Sequence, residues 1–135
     1  RDSTGDWSSD VCSSDLRLWC ENNEGFHQNG RVHIIAHSLG SAMALDVLSR
    51  QPTVAPDVVP GNNSVSKHFD FDTKNLFFVG SPAGFFLLLE RGKLVPRKGR
   101  NKPGAGSDGQ DESITGDADS YGCLAVDNLY NVMVR

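Results

Sequence analysis

The sequence predicts an α/β fold built on a parallel sheet. Three observations carry that expectation. Short, strongly apolar runs recur as VHIIA, NLFFV and LYNVMV; each of the first two leads into a helix-like segment; and the first does so through a tight turn, AHSLG, with small residues on both sides of Ser38. Runs of this length read as buried strands, and the helices between them supply the crossovers that parallel neighbours need.

The elements follow in chain order. Asp6 to Leu16, DWSSDVCSSDL, reads as one translated frame of a common sequencing adapter, so residues 1–16 are set aside from fold reasoning. With them go Asp2, Asp6, Asp10 and Asp15 against Arg1, which is three of the formal four negative charges. The rest of the chain, residues 17–135, is near neutral, and no nucleic-acid partner is expected. Arg17 to Asn22 suggests a short helix that dissolves into an Asn- and Gly-rich loop. VHIIA is the first strand. In the helix after it, Leu39, Ala42, Met43, Val47 and Leu48 lie mostly on one face, and Pro52 prevents continuation, closing a unit over residues 17–52.

Pro52 to Lys74 is a long loop; its Asn62–Ser64 fits a glycosylation acceptor, although plain loop is the simpler reading. NLFFVGSP gives a second strand ending at Gly80, with a helix starting near Pro82. Residues 91–120 carry six basic residues between Arg91 and Lys102, then five acidic ones between Asp108 and Asp119, and read as a flexible insertion. The third strand is expected over Leu129 to Val134. Leu76 to Leu89 is the most apolar stretch, but fourteen residues broken by Gly80, Pro82 and Gly84 are too few to span a bilayer. Cys20 and Cys123 are far apart and lack metal-type spacing, which suits a reduced intracellular protein.

The chemistry concentrates at AHSLG. A Gly-x-Ser-x-Gly sequence on a strand-to-helix turn is the nucleophile elbow, which strains the serine and lifts its hydroxyl above the sheet edge. Ala36 and Gly40 take the two small positions, expected to let the helix pass close to the strand, and His37 precedes the serine. The backbone N–H of Leu39, at the helix N-terminus, is expected to form half of an oxyanion hole. The plainer alternative makes Ser38 an ordinary helix N-cap.

A serine nucleophile needs a histidine base and a carboxylate to orient it, in the chain order Ser, acid, His. Downstream of Ser38 only His68 remains, and it reads as a loop residue; His33 and His37 read as structural. Asp46 and Asp127 sit at poor positions for the acid. The expectation is therefore a partial α/β-hydrolase fold, incomplete at both ends, in which Ser38 lacks its base, its acid and half of its oxyanion hole.

VHIIAHSLGSAMALDVLSRQP, NLFFVGSPAGFFLLL and LAVDNLYNVM, in that order, resemble successive segments of the intracellular phospholipase A1 family that carries the DDHD domain, its fungal members in particular. The resemblance implies a serine-dependent hydrolase acting on acyl esters of glycerophospholipids such as phosphatidic acid, cytoplasmic and peripheral on intracellular membranes. It implies Ser38 as nucleophile and residues 75–135 as the opening of the DDHD domain. In the family the last strand runs into an Asp-Pro segment and later a His, which lie beyond Arg135. No cofactor or metal is expected in this fragment, although a divalent metal is compatible with the complete domain. The fragment itself is expected to be inactive.

Two rivals stand beside this reading. A non-catalytic membrane-association module with a relic core would use Arg91, Lys93, Arg97, Lys98, Arg100 and Lys102 against anionic headgroups, with a solvated loop as the plainer account of the cluster. A neutral-lipid lipase or esterase would keep the same elbow. Phe77, Phe78, Phe85 and Phe86 are expected in the core rather than in an acyl-binding wall.

Overall fold

The computed structural model describes residues 4–56, 68–100 and 113–133. In chain order the elements are α1 (Thr4–Asn22), α2 (Phe26–Asn29), β1 (Val32–His37), α3 (Leu39–Arg50), β2 (Thr73–Val79), α4 (Ala83–Leu89) and β3 (Val126–Val132). The three strands form one parallel sheet in the order β1-β2-β3. Both crossovers step the same way along the sheet, and right-handed connections then place α3 and α4 on the same face. This is a partial α/β fold, as the sequence predicts. Asn62–Ser64, Lys102 and the acidic residues Asp108 to Glu112 lie outside the described residues.

On the helical face, Leu45, Val47 and Leu48 of α3 pack with Ala36, Leu76, Phe78 and Val126 of the strands. Each large apolar side chain so buried contributes about 1.5–3 kcal/mol. The buried stripe of α3 is rotated from the expected one: Ala44 and Leu45 reach the core, while Leu39 is 64% exposed. α3 starts where β1 ends, so Leu39 stands beyond the sheet edge. Among the phenylalanines, Phe78 is buried and Phe86 packs against the core, whereas Phe85 is exposed and Phe77 lies on the opposite sheet face.

α3 and α1 pack together. α1 is longer than the predicted Arg17–Asn22 helix and includes residues set aside from the sequence reading. Among its described side chains Ser9, Ser13 and Cys20 are buried, and the Ser13 hydroxyl accepts the backbone N–H of Asp70 at 3.1 Å. β3 starts at Val126, ahead of the expected Leu129, because its polar residues are held in the sheet. Asp127 pairs with Lys74 and Arg100 at 3.0 Å each, and Asn128 donates to Asn75 at 2.9 Å.

The segment after α4 departs most from expectation. Arg97, taken as part of a flexible basic insertion, is 2% exposed. Its guanidinium donates to the carbonyls of Leu48, Ser49 and Gln51 at 3.1, 3.1 and 2.6 Å, and to that of Cys123 at 2.7 Å. The first three are carbonyls at the C-terminal end of α3, where a helix leaves acceptors unsatisfied and carries partial negative charge. Arg100 is likewise committed, to Asp72, Asp127 and the carbonyls of Thr53 and Thr73. Composition marked this stretch as solvated because it counts charges without seeing the carbonyls that receive them.

Among the described residues, no helix covers the other sheet face. There Ile35, Tyr130 and Val132 are 74%, 47% and 45% exposed. Phe77 stacks on Tyr130 with ring centroids 5.0 Å apart. Parallel sheets are ordinarily covered on both faces, so this open apolar side is unusual.

Candidate active site

β1 and α3 are joined by one residue, Ser38. β1 ends at His37, whose neighbour in register is Val79 of β2, and the Ser38 N–H extends the ladder to the Val79 carbonyl at 3.0 Å. The chain then reverses within that residue, with φ 52° and ψ −122°. A non-glycine residue there costs about 1–3 kcal/mol and persists only when its surroundings impose it. Here the β1–β2 ladder fixes one side and the first turn of α3 fixes the other.

An N-capping serine has extended backbone angles, and its hydroxyl accepts an N–H from the first turn. Ser38 has neither feature: its φ is positive and its side chain makes no capping hydrogen bond. The bond runs the other way, because the Ser41 hydroxyl donates to the Ser38 carbonyl at 2.6 Å. Ser41 Oγ in turn accepts the Ser81 hydroxyl at 2.5 Å, and Ser81 Oγ accepts the Ala83 N–H at 3.0 Å. A hydroxyl relay thus ties the Ser38 turn to the start of α4. Neither serine was singled out from the sequence; GSP after the second strand, like HSLG after the first, was the available signal.

The remaining elbow residues divide. Ala36 is 5% exposed on the face under α3, so its small size fits its place. Gly40 does not meet the expected demand, since a Cβ there would find nothing within 4 Å. The first turn of α3 overhangs the strands, and it leaves that space open. His37 is exposed on the open sheet face, its Nε2 3.9 Å from where a Cβ on Gly80 would stand. Leu39 is the first residue of α3, so its N–H has no acceptor within the helix and is free to receive a ligand oxygen.

Neither base nor acid candidate comes to Ser38. Parallel strands put Ser38 at the edge where strands end, whereas His68 and Asp127 lie where strands begin. His68 Nδ1 is 3.1 Å from the Phe69 carbonyl, and Gln51, at the far end of α3, clamps Phe69 through two hydrogen bonds of 2.8 Å. Asp46 pairs with Arg50 at 2.9 Å, and His33 with Asn75 at 3.0 Å. Cys20 and Cys123 are buried, and burial together with nearby Asp15 pushes the Cys12 thiol up, which disfavours its thiolate.

A cleft of about 800 Å³ opens at the strand-start edge, lined in part by Arg17, Asp70, Asp72, Lys74, Arg100 and Asp127. Its charges are largely spent on one another. Among the described residues no three His, Cys, Asp or Glu side chains stand together as metal ligands. No helix among them is long and apolar enough to cross a membrane.

Residues 69–133 match the DDHD domain. Over that stretch the chain is similar to the DDHD-domain family. The family match covers β2, α4 and β3 and opens at residue 69, where the sequence reading put the start near Asn75; Ser38 lies ahead of it. A relative from Saccharomyces cerevisiae, named a probable mitochondrial phospholipase, is 36% identical over 81 residues, which is 60% of this chain and 9% of the relative. One from Schizosaccharomyces pombe with the same description is 35% identical over 68 residues, 50% of this chain and 8% of the relative. The chain therefore spans less than a tenth of either. No solved structure matches it.

Proposed function

We propose that this chain carries the nucleophile of a serine-dependent phospholipase of the A1 type, which cleaves an acyl ester of a glycerophospholipid such as phosphatidic acid. The observation that carries the proposal is the backbone of Ser38, reversed between strand and helix with its hydroxyl uncommitted to a cap. In this reading the Ser38 Oγ attacks the ester carbonyl, and the Leu39 N–H donates to the oxyanion that forms. Ser41 and Ser81 hold the turn. A histidine and a carboxylate from elsewhere in the full-length protein complete the triad.

The DDHD match and the relatives' description as probable phospholipases support the lipid substrate. Their names also carry a mitochondrial address, which we adopt as the compartment in place of the cytoplasm, with the protein peripheral on a membrane. The test is hydrolysis of phosphatidic acid by the full-length protein and its Ser38→Ala variant. Loss of a triad nucleophile typically removes several orders of magnitude in rate, so the variant should fall to background. Residual turnover near the wild-type level would overturn the assignment. The 135-residue chain alone should show no more than trace turnover.

A further inference from the structure

α4 has two apolar faces. Ala83, Phe86 and Leu87 turn inward to the core, whereas Phe85, Leu88 and Leu89 are 60%, 78% and 61% exposed. The spacing i, i+3, i+4 places these three on one outward face. The helix starts at the sheet edge that carries Ser38, and the Ser81–Ser41 bond joins the two turns.

The end of α4 supplies the second observation. Gly92 N–H bonds the Leu87 carbonyl at 2.8 Å and Arg91 N–H that of Leu88 at 3.3 Å, the pattern of a Schellman cap. The left-handed position in that cap usually holds glycine; here it holds Arg91, at φ 53°. Arg91 and Lys93 are exposed, and among the described residues neither has an ion-pair partner. An apolar helical face with free cations at its end suits an interface of acyl chains below and anionic headgroups above.

Resting on the phospholipid reading, we infer that the outer face of α4 docks the protein on an anionic lipid surface. Phe85, Leu88 and Leu89 enter the acyl boundary, while Arg91 and Lys93 meet headgroup phosphates. Ser38 then stands at the sheet edge that faces the lipid. Arg97 and Arg100 drop out of the basic cluster because they are committed inside the fold, and the inference uses only Arg91 and Lys93 of the remainder.

The experiment is co-sedimentation of the complete chain with vesicles of phosphatidylcholine alone and of phosphatidylcholine mixed with phosphatidic acid. Binding should favour the mixed vesicles and fall with salt. Phe85→Ser with Leu88→Ser should weaken it about tenfold or more, as expected for losing large buried apolar side chains. Arg91→Gly with Lys93→Gln should weaken it about fivefold per charge removed. Because glycine suits the backbone of residue 91, that second variant keeps its fold and shows loss of charge rather than loss of structure. Ser38→Ala should bind like the wild type, so failure of the nucleophile assignment appears only in hydrolysis. Absence of wild-type binding, which would make the α4 face a protein contact, or undiminished binding by either double variant, would overturn the inference.

Discussion

Ser38 and Arg97 are both unusual residues, and each tests a different physical statement. If the Ser38 backbone is held in strain, Ser38→Gly relieves it and should stabilise the chain by about 1 kcal/mol, read as a higher urea midpoint with unchanged slope. An unchanged or lower midpoint would mean the turn is relaxed with serine in place. Arg97 is the opposite case, a buried charge whose fork satisfies four carbonyls. Arg97→Ala removes the donor to the Gln51 and Cys123 carbonyls and one of two donors to those of Leu48 and Ser49, and should cost more than about 3 kcal/mol, a large part of a typical domain's 5–15 kcal/mol. Arg97→Lys keeps the charge but not the planar fork, and should recover only part of that loss. Equal midpoints for Arg97→Ala and wild type would rule out a structural role. The sequence marked Ser38 because its neighbours are contiguous with it. It could not mark Arg97, whose partners on α3 lie more than forty positions away.

At the scale of elements, the turn is a joint between β1, α3 and α4. Ser41 ties it together, accepting from Ser81 and donating to the Ser38 carbonyl. Ser41→Ala removes both links while leaving Ser38 and its hydroxyl present. In the full-length protein we expect kcat to drop by about tenfold, equivalent to one lost hydrogen bond, with KM little changed. Rescue by Ser41→Thr would separate positioning from mere packing; a fall in KM-dependent binding instead would assign Ser41 to substrate. β3 shows the limit of reading by hydropathy. Asp127 and Asn128 conceal its start, although their charge and amide are satisfied by Lys74, Arg100 and Asn75 on neighbouring segments.

At the scale of the whole molecule, the described helices α3 and α4 pack on one sheet face, and the reverse face presents Ile35, Phe77, Tyr130 and Val132 around a polar ladder of His33, Asn75 and Asn128. Contiguous apolar surface of this kind binds hydrophobic dyes and promotes association. The chain should therefore enhance the fluorescence of anilinonaphthalene sulfonate while folded, and Ile35→Lys with Tyr130→Lys should suppress that signal. A dye-silent wild-type chain with a cooperative, monomeric thermal transition would show that the face is closed in solution.

The sequence by itself determined the parallel α/β class, the strand–Ser38–helix turn and the likeness to DDHD phospholipases, because each rests on residues adjacent in the chain or on local periodicity. Tertiary structure alone decided that Arg97 and Arg100 are internal, that Leu39 and the outer face of α4 stand free, that Gly40 is uncrowded, and that Ser41 and Ser81 meet. Those outcomes depend on which distant carbonyl, carboxylate or open space each side chain finds, and hydropathy and charge counts hold no record of it.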